Sequence, residues 1–322
     1  MRRFDKNFTQ QEPIDEAAIA AAVDVLRSGR LHRYNNAPDE PGEVALLERE
    51  FAHYMNMRYC LACTSGGYAL HIALRSVGLL PGEPVLCNAY TLSPVPGAIH
   101  NAGGRVVLVD IDEDSRIDLN DLDAAASESG ARFLMLSHMR GHIADMNAIA
   151  RICEQHGISL IEDCAHTMGS RWRGQMSGTF GHVACFSTQT YKHINSGEGG
   201  LLVSNDAEVM RRAIVHSGSY MLYEQHGARP DAAVFERHRL TTPNFSMRMS
   251  ALAAALVRPQ LALLASRSET WNARYRELAA SFAAIDGVHV PERSPTERYV
   301  ASSIQFNLAP EIVEAGQVPS IV

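Results

Sequence analysis

Of the 29 Lys and Arg residues in this 322-residue chain, only Lys6 and Lys192 are lysines. Chemistry that needs a side-chain amine therefore has only two seats. Basic charge is not concentrated either. The formal net charge is −7 and the Arg2-Arg3 pair is too short for a basic arm, so no nucleic-acid partner is expected. No apolar run approaches the roughly 20 residues that cross a bilayer. Residues 1–12 lack the apolar stretch of a secretory signal. No membrane partner and a cytoplasmic location are the expectation. Repeats and low-complexity tracts are missing. So is a G-x-G-x-x-G opening the first βα turn, which leaves a nicotinamide-binding Rossmann enzyme without support. The six cysteines form no paired zinc pattern. Cys60-Leu-Ala-Cys63 stands alone and reads as two core cysteines of a strand, with no metal site expected.

What is there is a core-rich α/β pattern. The length, with 46% hydrophobic residues, suits a large central core and a second, smaller domain. Apolar spacing predicts helices over 15–28 and 43–56, then over 67–77, 92–101, 119–127 and 145–156. Short β-rich runs stand at 59–63, 84–87, 105–109, 132–137, 158–162, 183–186 and 200–203. Strand, helix, strand at this spacing means βαβ units and a mainly parallel sheet covered on both faces. Ligands then bind beyond the carboxyl ends of the strands. Residues 217–247 read as an irregular active-site or interface loop. A long helix is expected from Met249 to about Ala284, then strands near 288–290 and 303–307. The expected division is a large domain over 1–248 and a small α+β domain over 249–322, apparently incomplete.

Three segments fall at strand ends. Thr64-Ser65-Gly66-Gly67 opens a helix with small residues, which frees backbone N–H groups for an anion; a plain turn is the competing reading. Asp163, in Glu162-Asp163-Cys164-Ala165-His166, places a carboxylate at a buried strand end, where it needs a cationic partner; a helix N-cap is the competing reading. Lys192 follows Ser187 by five residues in a glycine-flanked loop before Gly197-Glu198-Gly199-Gly200. Lysine is rarely buried without a job, against the plainer reading of a solvated loop lysine.

In this order and spacing the three segments resemble the fold-type I enzymes that use pyridoxal 5′-phosphate (PLP). Within these, residues from about 10 to 265 are similar to the DegT/DnrJ/StrS sugar aminotransferases. The likeness is carried by Asp110-Ile111-Asp112, Ser137-His138 with Gly141 and Ala144-Asp145-Met146, Glu162-Asp163 with His166 and Gly169, Ser187…Lys192…Gly199-Gly200, and Arg248-Met249-Ser250 with Ala253–Leu256. It implies that Lys192 carries the cofactor covalently and moves the substrate proton. Asp163 would keep the ring nitrogen protonated, and His166 would lie near ring and substrate. Ser187, with Ser65, Gly66 and Gly67, would bind the phosphate, and Gln189 would touch the cofactor. Two positions depart from the family. Leu92 falls where an aromatic side chain usually stacks on the ring, with Tyr90 as a neighbour that could compensate. Ser246 falls where an Asn usually reaches the phosphate of the neighbouring subunit, with Asn244 the other candidate. The resemblance further implies a homodimer, glutamine or glutamate as amino donor, and a keto-sugar or keto-cyclitol as acceptor. The lysine loop looks nearest the branch that aminates keto-cyclitols in aminoglycoside pathways. Two rivals stay open: a PLP- or pyridoxamine-dependent sugar dehydratase, which carries His where the lysine belongs, and a non-catalytic PLP-binding regulatory protein.

Overall fold

The computed structural model describes residues 10–37, 39–235, 240, 242–314 and 316; Lys6 lies outside them. Two helices come first, α1 (Glu16–Ser28) and α2 (Glu43–Met55). Asp15 caps α1 by accepting from the Ala18 N–H at 3.0 Å, and Gly29 ends it at φ 68°, as an Asp start and a Gly stop should. Then β1 (Tyr59–Cys63), α3 (Gly66–Ser76), β2 (Pro84–Asn88), α4 (Pro94–Asn101) and β3 (Arg105–Val109) alternate, followed by α5 (Leu119–Ser129), β4 (Phe133–Ser137), α6 (Met146–His156) and β5 (Ser159–Asp163). Two-residue strands β6 (Arg171–Trp172) and β7 (Gln175–Met176) precede β8 (Val183–Ser187), β9 (Gly200–Ser204) and α7 (Ala207–His216). The chain continues through α8 (Ala251–Ala283), β10 (Val288–His289), β11 (Glu297–Arg298), β12 (Asn307–Leu308) and α9 (Pro310–Glu314).

The central sheet has the order β1-β9-β8-β5-β4-β2-β3. Strands β3, β2, β4, β5 and β8 run parallel, and β9 is antiparallel to both neighbours. This is the expected α/β class with a large, mainly parallel sheet. One face packs on α3 and α7, the other on α2 and α8, so β1, β4, β8 and β9 are buried along their whole length. Alternation along β1 sends Cys60 to one core and Cys63 to the other, and both are buried free thiols.

One expectation needs correction. The strand expected at 303–307 begins only at Asn307; Ser303 and Ile304 instead help wall a cavity against α8. Farther along, β11 pairs antiparallel with β6. Of the loop expected over 217–247, residues 236–239 and 241 lie outside the described residues; at His226 and Gly227 lies a buried charge cluster. Arg33 grips Glu48 bidentately at 3.0 and 3.1 Å, and His226 Nδ1 stands 3.1 Å from the same guanidinium. Glu48 also accepts from the N–H groups of Ala62 and Gly227, both at 3.0 Å. Burial opposes its charge, but Arg33 and His226 hold the Glu48 carboxyl down at about 2. The cluster pins residues 226–227 to α2 and β1.

Candidate active site

The ends of β1, β5 and β8 meet on one side of the sheet, where a doubly wound fold binds its ligands. At the end of β1, Ser65 caps α3, accepting from the Tyr68 N–H at 3.1 Å. The Gly66 and Gly67 N–H groups are left without intrahelical acceptors and face outward with the positive end of the helix dipole. A Cβ on Gly66 would stand 2.8 Å from the Ser187 Cβ, so only glycine lets the end of β8 close on this helix start. Ser187 Oγ accepts from the Gln189 N–H at 3.3 Å, and Gln189 Oε1 from the Tyr191 N–H at 2.9 Å. With the helix start they shape a small concavity that can hold an anion.

Asp163, the last residue of β5, is 8% exposed. Its Oδ2 accepts from the Ser137 hydroxyl at 2.9 Å and its Oδ1 from the Ala165 N–H at 3.1 Å. Burial raises its pKa, while these hydrogen bonds and the charge of Lys192 pull it back. Lys192 Nζ stands 2.9 Å from His166 Nε2. Burial lowers the lysine's pKa against the pull of Asp163, and Arg140 adds to the lowering. Burial first, then the Lys192 charge, push His166 down to about 3, so its ring is neutral and accepts from the lysine. Arg140 itself sits at φ 55° in the turn after β4, a conformation that costs a non-glycine residue about 1–2 kcal/mol.

Ser65, Gly66, Gly67, Asp163, His166, Ser187, Gln189 and Lys192 all line one cavity of about 610 Å³, and Leu92 gives it an aliphatic wall. Tyr90 does not line it. Ser246 lies outside it and accepts from the Arg248 guanidinium at 3.3 Å; Asn244 stands nearby, against Gly218. Sequence reasoning missed the role of Ser137, which reaches Asp163 because β4 and β5 pair them side by side. It also missed the far end of the cavity, walled by Tyr68, His71 and Asn101. Both ring nitrogens of His71 lack partners among the described residues. His138, Glu162 and Cys164 come within 4.8 Å of one another. Glu162 already accepts from the N–H groups of Gly178, Phe180 and Gly181 at 2.8–2.9 Å, so it acts as a bolt between β5 and the following loop.

Residues 12–315 match the DegT/DnrJ/EryC1/StrS aminotransferase family. The chain is 32% identical over 278 residues to 3-amino-5-hydroxybenzoate synthase of Amycolatopsis mediterranei (strain S699), covering 86% of this chain and 68% of that protein. It is 31% identical over 281 residues to dTDP-3-amino-3,4,6-trideoxy-alpha-D-glucose transaminase of Streptomyces venezuelae, again covering 86% and 68%. The crystal structure of 3-amino-5-hydroxybenzoic acid synthase superposes with a TM-score of 0.82 at 29% identity, covering 97% of this chain and 79% of that one. With its lysine, aspartate and anion cradle arranged around one cavity, the chain belongs to the DegT/DnrJ/EryC1/StrS aminotransferase family and is a PLP-dependent transaminase.

Proposed function

We propose that the enzyme moves an amino group from glutamine or glutamate to a keto-sugar or keto-cyclitol in sugar-derived natural product or polysaccharide biosynthesis. One observation carries the reading: Lys192, Asp163 and the Gly66-Gly67 helix start face a single cavity from three sides. Those groups fit the cofactor's aldehyde, ring nitrogen and phosphate. When bound, PLP supplies the electron sink for amine exchange. The protein does the rest. The N–H groups of Gly66 and Gly67 and the Ser187 hydroxyl would hold the phosphate. Asp163, kept in place by Ser137, would hold a proton on the ring nitrogen. Leu92 would offer the ring an aliphatic contact without π stacking. Lys192, its amine biased towards neutrality, holds the cofactor and carries the proton of the reacting carbon. His166 accepts from Lys192 and fixes its direction.

The acceptor class is supported by the two relatives, one named for an aminated hydroxybenzoate and the other for a dTDP-amino sugar. Lys192 itself favours transamination over the dehydratase reading, because it occupies the position where the dehydratases carry histidine. We assign the working unit as a homodimer in which Ser246 serves the partner subunit's phosphate. The buried Arg33–Glu48–His226 cluster supports this by fixing residues 226–227 against α2. Absorbance of the loaded enzyme tests the donor: glutamine or glutamate should bleach the visible band. Bleaching by alanine or aspartate alone would overturn the donor assignment, and no bleaching by any amino acid would favour the regulatory reading. Light scattering that found an active monomer would remove the dimer.

A further inference from the structure

The cofactor cavity is short of positive charge. Among its lining residues Asp163 and Glu198 are carboxylates, Lys192 is the one lysine and no arginine is present. Burial lowers the pKa of its two histidines, His71 and His166. Lys192 is committed to the cofactor and to the moving proton. The donor's amine and its α-carboxylate hang on the same carbon. When that amine reaches the cofactor, the carboxylate must therefore come to rest close to Lys192 and His166. An anion taken out of water there needs a cation.

Arg140 stands at the edge of this cavity. It is the middle residue of the Met139–Gly141 turn at the carboxyl end of β4. Met139, on one side of it, lines the cavity. Gly141, on the other, lies so close to His166 that a Cβ there would stand 3.2 Å from the His166 carbonyl oxygen. Arg140 is half-buried, and its guanidinium has neither a hydrogen bond nor an ion pair among the described residues. After burial, its charge contributes to the lowered pKa of both Lys192 and His166, so its field reaches the amine. The turn holds Arg140 in place against strain. A φ of 55° is left-handed, a region that disfavours a side chain. The Gly141 N–H donates to the His138 carbonyl at 3.0 Å and the His142 N–H to the Met139 carbonyl at 3.1 Å. Arg293 donates to the Gly141 carbonyl from behind. Strain kept up in this way gathers at ligand clamps.

We propose that Arg140 clamps the α-carboxylate of the amino donor in the cofactor cavity and so restricts the donor to amino acids. The planar fork of its guanidinium matches a carboxylate with two parallel N–H donors. The assignment rests on the transaminase reading and adds to it the group that tells an amino acid from a plain amine.

Glutamine and its decarboxylated counterpart, γ-aminobutyramide, differ only in the carboxylate. The ratio of their half-saturating concentrations for bleaching the holoenzyme therefore isolates that group. Arg140→Gln should shrink the ratio at least about tenfold, the scale of a lost charge-assisted hydrogen bond, by weakening glutamine and leaving the amine as it was. Glutarate, which has no amine and cannot react, should bind the wild-type holoenzyme in calorimetry and bind Arg140→Gln about tenfold more weakly. Arg140→Gly, which relaxes the left-handed turn, should lose the same discrimination while melting no lower than wild type. An unchanged ratio in both variants, or an unchanged glutarate affinity in Arg140→Gln, would overturn the clamp. So would an Arg140→Gly protein that melts well below wild type, because the arginine would then serve the fold. Failure of the transaminase reading looks different: no amino acid would alter the wild-type spectrum, and the clamp would fall with it.

Discussion

Lys192 Nζ and His166 Nε2 stand 2.9 Å apart inside a cavity that also holds Asp163. A neutral histidine and a carboxylate flank one amine, and burial weighs against the amine's charge. That arrangement prepares Lys192 as a nucleophile and base rather than as a fixed cation.

Lys192→Ala should fold, retain PLP non-covalently and turn over at least about 10²-fold more slowly, the low end of what general acid–base catalysis contributes. Lys192→Arg should fail alike, because guanidinium stays protonated. Borohydride reduction and peptide mapping provide the check. The only other lysine is Lys6, so a pyridoxyl label there, or nowhere, would remove the central assignment.

Asp163→Asn should keep the cofactor but lose most activity. Asn copies the shape and can still bond Ser137, yet it cannot stabilise a ring cation by charge. A rate within about threefold of wild type, under 1 kcal/mol of barrier, would show that Asp163 has another task.

Gly66→Ala should spread the helix start and the end of β8. The added methyl meets Ser187 Cβ and Cα, so cofactor affinity should fall by about tenfold or more, roughly 1.4 kcal/mol, and the cofactor-free protein should melt at a lower temperature. Unchanged cofactor affinity by equilibrium dialysis would place the phosphate elsewhere.

Glu48→Gln should be severe for stability. It leaves Arg33 buried without its counter-charge, and breaking a buried pair in this way costs about 3–5 kcal/mol. Denaturant unfolding measures it. A loss below about 1 kcal/mol, the scale of an exposed pair, would mean the cluster is not structural.

Acid should weaken the fold well before carboxylates protonate. Burial holds His193, His216 and His226 near a pKa of about 4 against their ordinary 6.5. The unfolded chain takes up these protons first as pH falls, so their stability is whole above 6.5 and drains away towards 4. Glu297 works in reverse: burial holds it up at about 7, so its contribution is present below its ordinary 4.5 and lost as pH rises through 7. Three groups outweigh one, and the melting temperature should fall steadily from pH 6.5 to pH 4.5. A flat profile across that window would contradict the buried neutral histidines.

The strands that build the sheet were legible because each is a short β-rich run between helical patterns, whereas the residues proposed for the cofactor came from a resemblance spread over several segments, each ordinary alone. The role of Ser137 was not legible, since its partner is chosen by the register between β4 and β5 and no spacing in the chain encodes that. Strands β6, β7 and β11 are two residues long, too short for alternation to show. The cavity against α8 is assembled from four stretches scattered between residues 10 and 304, so each contributes residues that look ordinary where they stand. Leu92 was placed by resemblance, and it lines the cofactor cavity.

A side chain at position 200 would collide with the Ser65 carbonyl. The first residue of β9 and the turn after β1, far apart in the chain, are therefore shaped as one casting. Neither the lysine loop nor the phosphate turn is a portable module. Grafting one into another scaffold without the other would leave a gap or a clash at this seam. In laboratory evolution the cavity walls around His71 and Asn101 can drift, while Ser65, Gly66, Ser187 and Gly200 must change together or stay.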